Sequence, residues 1–208
     1  MNAKNELLSA IAPLTYPIQS RSEKKISDNE KVKILSAVEQ LEDQNPHPQP
    51  FKNPQLLQGN WRLLYTSSKS LLGLNNIPLL EVDTVFQSIS VNPQKVYNIA
   101  EIKGLPFLDS VIIAIAKWEQ VDQKRISVKF NRTIIGLKNL LNYHSPQQFI
   151  TKINNNQKFY PFDISINKNF NTNSNGWLEI TYLDQDLRIS RGNQGSIFIL
   201  SKSSAQHK

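Results

Sequence analysis

Few residues in this sequence have the types and spacing that catalysis or metal binding requires. The three histidines, His47, His144 and His207, stand far apart along the chain, and there is no cysteine. A zinc site needs several such ligands at close spacing, so none is expected from them. Asp184 and Asp186 are two residues apart, but the turn-like stretch around them favours hairpin capping and pairing with nearby arginines over acid–base catalysis. The sequence therefore predicts no catalytic residue, no metal and no cofactor.

The motifs that hold nucleotides or activate a serine are also absent from the sequence. There is no phosphate-binding glycine loop, no dinucleotide fingerprint and no nucleophile elbow. The net charge of +7 falls entirely within residues 59–208, and such an excess attracts anionic partners such as lipid headgroups or nucleic acid. No run of basic residues exceeds two, so the charge also fits an ordinary solvated surface. Because aromatic residues do not cluster with the basic ones, we expect no nucleic-acid binding.

The residues that remain are apolar, and their spacing indicates strands over most of the chain. Ile126, Val128 and Phe130 alternate with polar residues, as in a strand with one buried face. Short turn-like segments at 92–94 and 122–123 predict hairpins. About eight short antiparallel strands with such connections favour a sandwich or an up-and-down barrel.

Helices are predicted before these strands. Ser27 and Glu30 have the spacing of a capping box, in which each side chain satisfies a free backbone amide of the first turn. Ile34, Val38 and Leu41, with Leu35 beside them, form an apolar stripe at helical spacing. The opposite face carries both charge signs, which favours packing on the rest of the protein over lying on a membrane.

These patterns divide the chain into four parts. We expect an N-terminal helical segment over 1–45 that packs on the barrel, a proline-rich connector over 46–58, the barrel over 59–202 and a disordered tail over 203–208. The most apolar run, 111–118, is much shorter than the roughly 20 residues of a membrane-spanning helix. Since no signal peptide or arginine-rich presequence is recognisable, we expect a mature soluble protein.

Three stretches of the chain are more specific. "GNWRLLYTS", "FQSI" and "YLDQDLRISRGNQGSIFIL" resemble the plastid lipid-associated proteins, also called fibrillins or plastoglobulins. The resemblance implies a lipocalin-like β-barrel, association with thylakoid membranes or lipid bodies, and binding of hydrophobic isoprenoids such as quinones or carotenoids. Without a transit peptide, we expect a cyanobacterial member that is cytoplasmic and peripheral to the thylakoid membrane or lipid bodies.

The same resemblance gives several residues a role in closing the barrel. Gly59 and Trp61 are similar to the start of the first lipocalin strand, where the indole covers one end of the barrel and an arginine stacks across it. Arg188 and Arg191 are both candidates for that arginine, and the sequence does not choose between them. Gly192 and Gly195 bracket a turn that needs positive φ or close approach of the backbone.

An eight-stranded barrel is wide enough to hold one small ligand, so we expect an apolar interior that binds one. Gln87 and Tyr182 are polar groups that could orient a quinone carbonyl or hydroxyl. Val85 and Phe86 are neighbours, so a regular strand would turn only one of them inward. The candidate ligand-binding residues are Val85, Phe86, Gln87, Ile89, Ile113, Ile115, Val128, Phe130, Leu178, Ile180 and Tyr182.

Two loops are unusually apolar for connections between strands. They contain Leu71, Leu72 and Leu74 in one loop and Leu105 and Phe107 in the other. Each can serve as a lid or core segment, or can dip into a membrane while Lys69 and Lys103 meet anionic headgroups. We therefore expect non-enzymatic binding or carriage of a hydrophobic small molecule at a peripheral membrane surface. The alternative is a structural coat of lipid bodies without a stoichiometric ligand, and the sequence leaves the oligomeric state open.

Overall fold

The computed structural model describes residues 3–14, 26–68, 81–104, 108–165 and 176–203. The helices are α1 (Ala3–Ile11), α2 (Asp28–Asp43), α3 (Pro54–Leu57) and α4 (Pro146–Asn154). The strands are β1 (Gly59–Thr66), β2 (Glu81–Ser90), β3 (Lys95–Lys103), β4 (Ser110–Gln120), β5 (Arg125–Leu137), β6 (Asp163–Ser165), β7 (Gly176–Leu183), β8 (Leu187–Gly192) and β9 (Ile197–Lys202).

Eight of these strands close into one antiparallel barrel. From β1 to β5 each strand pairs with the next, β5 pairs with β7, and β7, β8 and β9 continue the series until β9 returns to β1. The sixth strand, β6, pairs with the second half of β5 and lies outside this ring. The predicted up-and-down barrel of about eight strands is therefore confirmed. Closure removes the free sheet edges at which strands of other chains could add.

Bulges in the barrel change which face of a strand looks inward. In β7, Ile180 pairs with Ser190 whereas Tyr182 pairs with Ile189, so Thr181 is an extra residue. The Asn45 side chain holds this bulge, since its amide donates to the Thr181 carbonyl at 2.8 Å. A single extra residue sends the side chains that follow it to the opposite face of the sheet.

The two N-terminal helices cover one outer face of the barrel. The predicted capping box is present: Ser27 Oγ accepts from the Glu30 amide at 3.2 Å, and Glu30 Oε2 accepts from the Ser27 amide at 2.8 Å. Ile34, Val38 and Leu41 are buried, whereas Leu35 is 42% exposed and lies outside the stripe. The cluster beneath α1 and α2 also contains Leu7, Ile11, Tyr65, Leu187, Ile189 and Ile199.

The fourth helix covers a second outer face. Its start follows from Ser145, whose hydroxyl accepts from the Gln148 amide, and from Pro146 at the first helical position. Phe149 lies between Tyr143 and Phe159, with ring centroids at 5.4 Å and 4.6 Å. The sequence analysis assigned no helix to this stretch. Among the described residues, no helix is long and apolar enough to cross a membrane.

Candidate ligand cavity inside the barrel

The barrel encloses a cavity of about 730 Å³, within the range of small-molecule binding sites. Among the described residues that border it, none carries a charged side chain. The apolar residues on its wall are Phe51, Leu57, Leu63, Val85, Phe86, Ile89, Val96, Trp118, Ile126, Val128, Phe130, Trp177, Leu178, Ile180, Phe198 and Leu200. The polar residues on its wall are Ser68, Gln87, Asn98, Ser190, Asn193 and Ser196. A ligand here would meet a mostly hydrocarbon surface with a few polar groups.

Most of the residues that the sequence assigned to the interior do border this cavity. Val85 belongs to the interior cluster, whereas the neighbouring Phe86 borders the cavity and also packs against the cluster under α4. This divided placement fits the expectation that a regular strand turns only one of the two fully inward. The predicted residues on the wall are Val85, Phe86, Gln87, Ile89, Val128, Phe130, Leu178 and Ile180. That they bind a ligand stays a prediction.

The inward placement of Ile113 and Ile115 is wrong. Both are buried in the outer cluster with Phe149 of α4, whereas Ala116 and Trp118 belong to the interior cluster. Both faces of β4 are apolar because one lines the interior and the other is covered by a helix. Alternation of apolar and polar residues therefore cannot distinguish the two faces in this strand.

The inward placement of Tyr182 is also wrong, and the bulge at Thr181 is the reason. The ring is buried beneath the N-terminal helices, and its hydroxyl donates to Asp184 Oδ2 at 2.7 Å. Burial raises the pKa of Tyr182, and the hydrogen bond to Asp184 raises it further. Asp184 in turn accepts from Lys4 of α1 at 2.7 Å. Tyr182 therefore holds the helices on the barrel and cannot orient a molecule in the cavity.

Four aromatic residues on the wall were missed by the sequence analysis, namely Phe51, Trp118, Trp177 and Phe198. Phe51 lies in the proline-rich connector, which folds into short helical turns and places this ring on Trp118, with ring centroids 5.9 Å apart. No periodicity marks a connector residue as part of a core. Trp118 is the last residue of the apolar run 111–118. The sequence analysis assigned Ile113 and Ile115 of this strand to the interior, and these lie on the opposite face from Trp118.

Trp61, which the sequence analysis assigned to barrel closure, is fully buried in the interior cluster. Its indole Nε1 donates to the Leu57 carbonyl at 2.9 Å. The Arg188 guanidinium lies 4.9 Å from the ring centroid and Lys202 Nζ lies 5.2 Å from it, so two cations contact the indole. Arg191 points outward instead and forms an ion pair with Glu42 of α2 at 2.7 Å. The structure thus identifies Arg188 as the stacking arginine.

The three glycines assigned to barrel closure have different roles. Gly59 has a φ of +127° and Gly195 a φ of +72°, which side chains other than hydrogen rarely permit. Gly192 is extended, but a Cβ there would lie 3.0 Å from the Phe198 ring. Gly192 therefore allows close approach of the Phe198 ring, whereas Gly59 and Gly195 allow backbone conformations with positive φ.

Arg188 is the most unusual polar residue of the molecule. Its side chain is 0% exposed, and Nη2 donates to Gln87 Oε1. Its Nε and Nη1 have no hydrogen-bond partner among the described residues, and the same is true of the buried Ser190 hydroxyl. Burial lowers the pKa of Arg188 to about 9, so the guanidinium stays cationic at neutral pH. A buried charge with unsatisfied donors lies beside a cavity wall.

Several polar clusters of the described residues form ion pairs outside the barrel. Glu101, for example, accepts from the Tyr143 hydroxyl at 2.7 Å and from Lys138 at 2.9 Å. Burial raises the pKa of Tyr143, and the Glu101 charge adds to this. In the part of the chain that the structure describes, no group of three acidic, histidine or cysteine residues could hold a metal ion.

The predicted membrane-contact residues Leu71, Leu72, Leu74, Leu105 and Phe107 lie outside the described residues, as do Lys69 and the tail beyond residue 203. Lys103 is described, and its ammonium forms an ion pair with Asp83 at 2.9 Å.

Comparison with known proteins places this architecture in a family. The PAP_fibrillin family model matches residues 1–201. A chromoplast-specific carotenoid-associated protein of Cucumis sativus is 31% identical over 201 residues, which cover 86% of this chain and 62% of the relative. A chloroplastic light-induced protein of Solanum tuberosum is 32% identical, over 85% of this chain and 61% of the relative.

A third relative, probable plastid-lipid-associated protein 3 of Arabidopsis thaliana, is 33% identical over 83% of this chain and 52% of the relative. The chain thus spans between half and two thirds of the length of these relatives. No solved structure matches the chain. On the match over residues 1–201, the chain belongs to the PAP_fibrillin family.

Proposed function

We propose that this protein binds or carries one hydrophobic small molecule, an isoprenoid quinone, a carotenoid or a lipid, inside its barrel and without catalysis. The observation that carries the proposal is the cavity of about 730 Å³ with its largely apolar wall. Each Å² of apolar ligand surface removed from water contributes about 25 cal/mol before the costs of ordering the ligand are subtracted. A molecule that fills such a cavity is held mainly by this term.

The closed topology supports the proposal because it gives the cavity a fixed wall. Strand pairing continues round all eight strands, so the sheet cannot flatten and expose its interior face without breaking strand pairs. We propose that Trp61 and Leu57 close one end of the barrel, supported by the hydrogen bond that the indole Nε1 donates to the Leu57 carbonyl.

The names of the relatives support a lipid-associated setting. One is described as carotenoid-associated and another as plastid-lipid-associated. We propose that this chain acts at the surface of thylakoid membranes or lipid bodies, with Leu71, Leu72, Leu74, Leu105 and Phe107 as its contacts. A cyanobacterial source stays a prediction, since the relatives named above are plant proteins.

The proposal is tested by what the barrel retains. The purified full chain is incubated with vesicles made from thylakoid lipids, pigments and quinones, separated from them, and examined by native mass spectrometry and by organic extraction. We expect a single bound molecule per chain, recovered as a quinone, carotenoid or lipid. A protein that emerges with no bound molecule overturns the proposal.

The same experiment distinguishes the structural coat. A chain that floats with vesicles but carries no stoichiometric molecule would support a coat of lipid bodies. In that case, replacing Leu71, Leu72 and Leu74 together with Ser should weaken flotation, because the apolar contact with the membrane interface is lost.

A further inference from the structure

We propose that the molecule held in the cavity is a long-chain monocarboxylic acid whose carboxylate docks at the wall residues Gln87 and Ser190 and pairs with Arg188 directly behind them. This inference rests on the proposed function and specifies the class of ligand. Its hydrocarbon chain would lie along the apolar wall of the barrel.

The first argument is the missing counter-charge of Arg188. The guanidinium is fully buried, and none of the ion pairs among the described residues includes it. Burial is the single cause of its lowered pKa, with no carboxylate acting against it. An uncompensated buried charge is costly, and proteins normally pair it. A ligand carboxylate would supply the charge that the chain itself does not.

The second argument is the connection between Arg188 and the cavity. Arg188 does not border the cavity itself, but its partner Gln87 does. Gln87 also donates from Nε2 to Asn98 Oδ1 at 2.9 Å, and Asn98 lies on the same wall. A shift of the Gln87 amide would bring a carboxylate in the cavity within reach of the guanidinium.

The third argument is Ser190, two residues along the same strand. Its side chain is 0% exposed, it borders the cavity, and its hydroxyl has no hydrogen-bond partner among the described residues. A buried hydroxyl without a partner costs free energy. Ser190 Oγ could donate to one carboxylate oxygen while Arg188 donates to the other.

A single negative charge fits better than a neutral or doubly charged group. A quinone carbonyl could accept hydrogen bonds but would leave the guanidinium charge uncompensated. A phosphate dianion would need a second cation, and Lys202, the other cation on the Trp61 ring, already donates to the Gln55 and Leu56 carbonyls at 3.2 Å and 2.7 Å. The described wall carries no acidic residue that would repel a carboxylate.

A purely structural role for Arg188 makes a different prediction. Stacking on Trp61 uses one face of the guanidinium and leaves the in-plane donors Nε and Nη1 unused. If Arg188 serves only to close the barrel, a charged headgroup should gain nothing over a neutral one of the same chain length. Comparing two such headgroups therefore separates the roles.

The test uses the delipidated full chain and the neutral fluorescent probe N-phenyl-1-naphthylamine. The bound probe is displaced at neutral pH by tetradecanoic acid or by methyl tetradecanoate, which share the same alkyl chain. We expect the acid to displace the probe at a concentration about 10-fold or more below that of the ester, because only the carboxylate makes charge-assisted hydrogen bonds.

The matched variants are Arg188→Met and Arg191→Met, which change the inward and outward arginines of the same strand. Arg188→Met should remove the preference for the acid over the ester, whereas Arg191→Met should keep the preference. If Arg188→Met does not fold, Ser190→Ala serves as a second variant. It should lower the affinity for the acid several-fold.

Three results would overturn the inference or the proposal beneath it. Equal displacement by acid and ester in the unaltered protein refutes the carboxylate site but leaves the cavity as a binding site. An acid preference that survives Arg188→Met refutes the assignment to Arg188. Failure of the probe, the acid and the ester to bind at all refutes the proposed function as well.

Discussion

Both sides of the barrel wall are apolar, but only the outer side is covered by helices of the same chain. The outer side is covered by α1 and α2 in one region and by α4 in another, so its apolar clusters are filled by the protein itself. The inner side surrounds a cavity of about 730 Å³. The two arginines of β8 repeat this contrast, since Arg191 is paired with Glu42 outside while Arg188 has no carboxylate inside. We infer that the outside is built for stability and the inside for a ligand.

The largest expected difference between the two sides is the effect of removing an aromatic ring. Phe149→Ala empties a filled outer cluster and should lower the free energy of unfolding by about 3–5 kcal/mol. Phe198→Ala removes a ring that already borders the cavity, so fewer contacts are lost, and the cost should be about 1–2 kcal/mol. Urea denaturation of the ligand-free variants measures both, and equal losses would contradict the distinction.

The second difference concerns the two arginines. Arg188→Met removes a buried charge without a carboxylate partner and should raise the free energy of unfolding of the ligand-free protein by about 1–4 kcal/mol. Arg191→Met breaks a partly exposed ion pair and should lower it by up to about 1 kcal/mol. Thermal and urea unfolding of both variants provide the values. If Arg188→Met is the more destabilising change, its main role is structural.

The smallest expected effect is the acid sensitivity of the outer ion pairs. Hydrogen bonds from Lys124 and Arg125, at 2.6 Å and 2.9 Å, lower the pKa of Glu179 below its unfolded value. The folded state therefore binds fewer protons than the unfolded state between the two pKa values, and stability falls as the pH drops through that window. The free energy of unfolding should decline as the pH falls below about 5, and less steeply in Glu179→Gln. An unchanged slope in the variant would exclude Glu179 as a contributor.

Much of the fold could be predicted because local rules agree with it. In β5, Ile126, Val128 and Phe130 border the cavity as their alternation indicated, although Phe130 is also 38% exposed, and the residues between them are polar. The capping box fixed the start of α2 for a similarly local reason. The fourth helix was less visible because it is short and follows a polar stretch.

The errors in the site have specific physical causes. Ile113 and Ile115 lie in a strand with two apolar faces, which periodicity cannot orient. Tyr182 follows a bulge at Thr181 that Asn45, 136 residues away in sequence, holds in place. The sequence could not show whether Arg188 or Arg191 stacks on Trp61. That depends on the register between β8 and β9 and on Glu42 of α2, which forms an ion pair with Arg191. All three depend on contacts between segments distant in the chain.

The most direct test of ligand binding inside the barrel is to fill the cavity with a large side chain from β5. Val128→Trp places a large ring in the cavity, whereas Lys129→Trp places the same ring on the exposed outer face of the next residue. Fluorescence titration with N-phenyl-1-naphthylamine should show one site per chain in the unaltered protein and in Lys129→Trp, and an affinity at least about 10-fold weaker in Val128→Trp. Equal binding by both variants would show that the probe does not enter the barrel and would contradict a ligand-carrying interior.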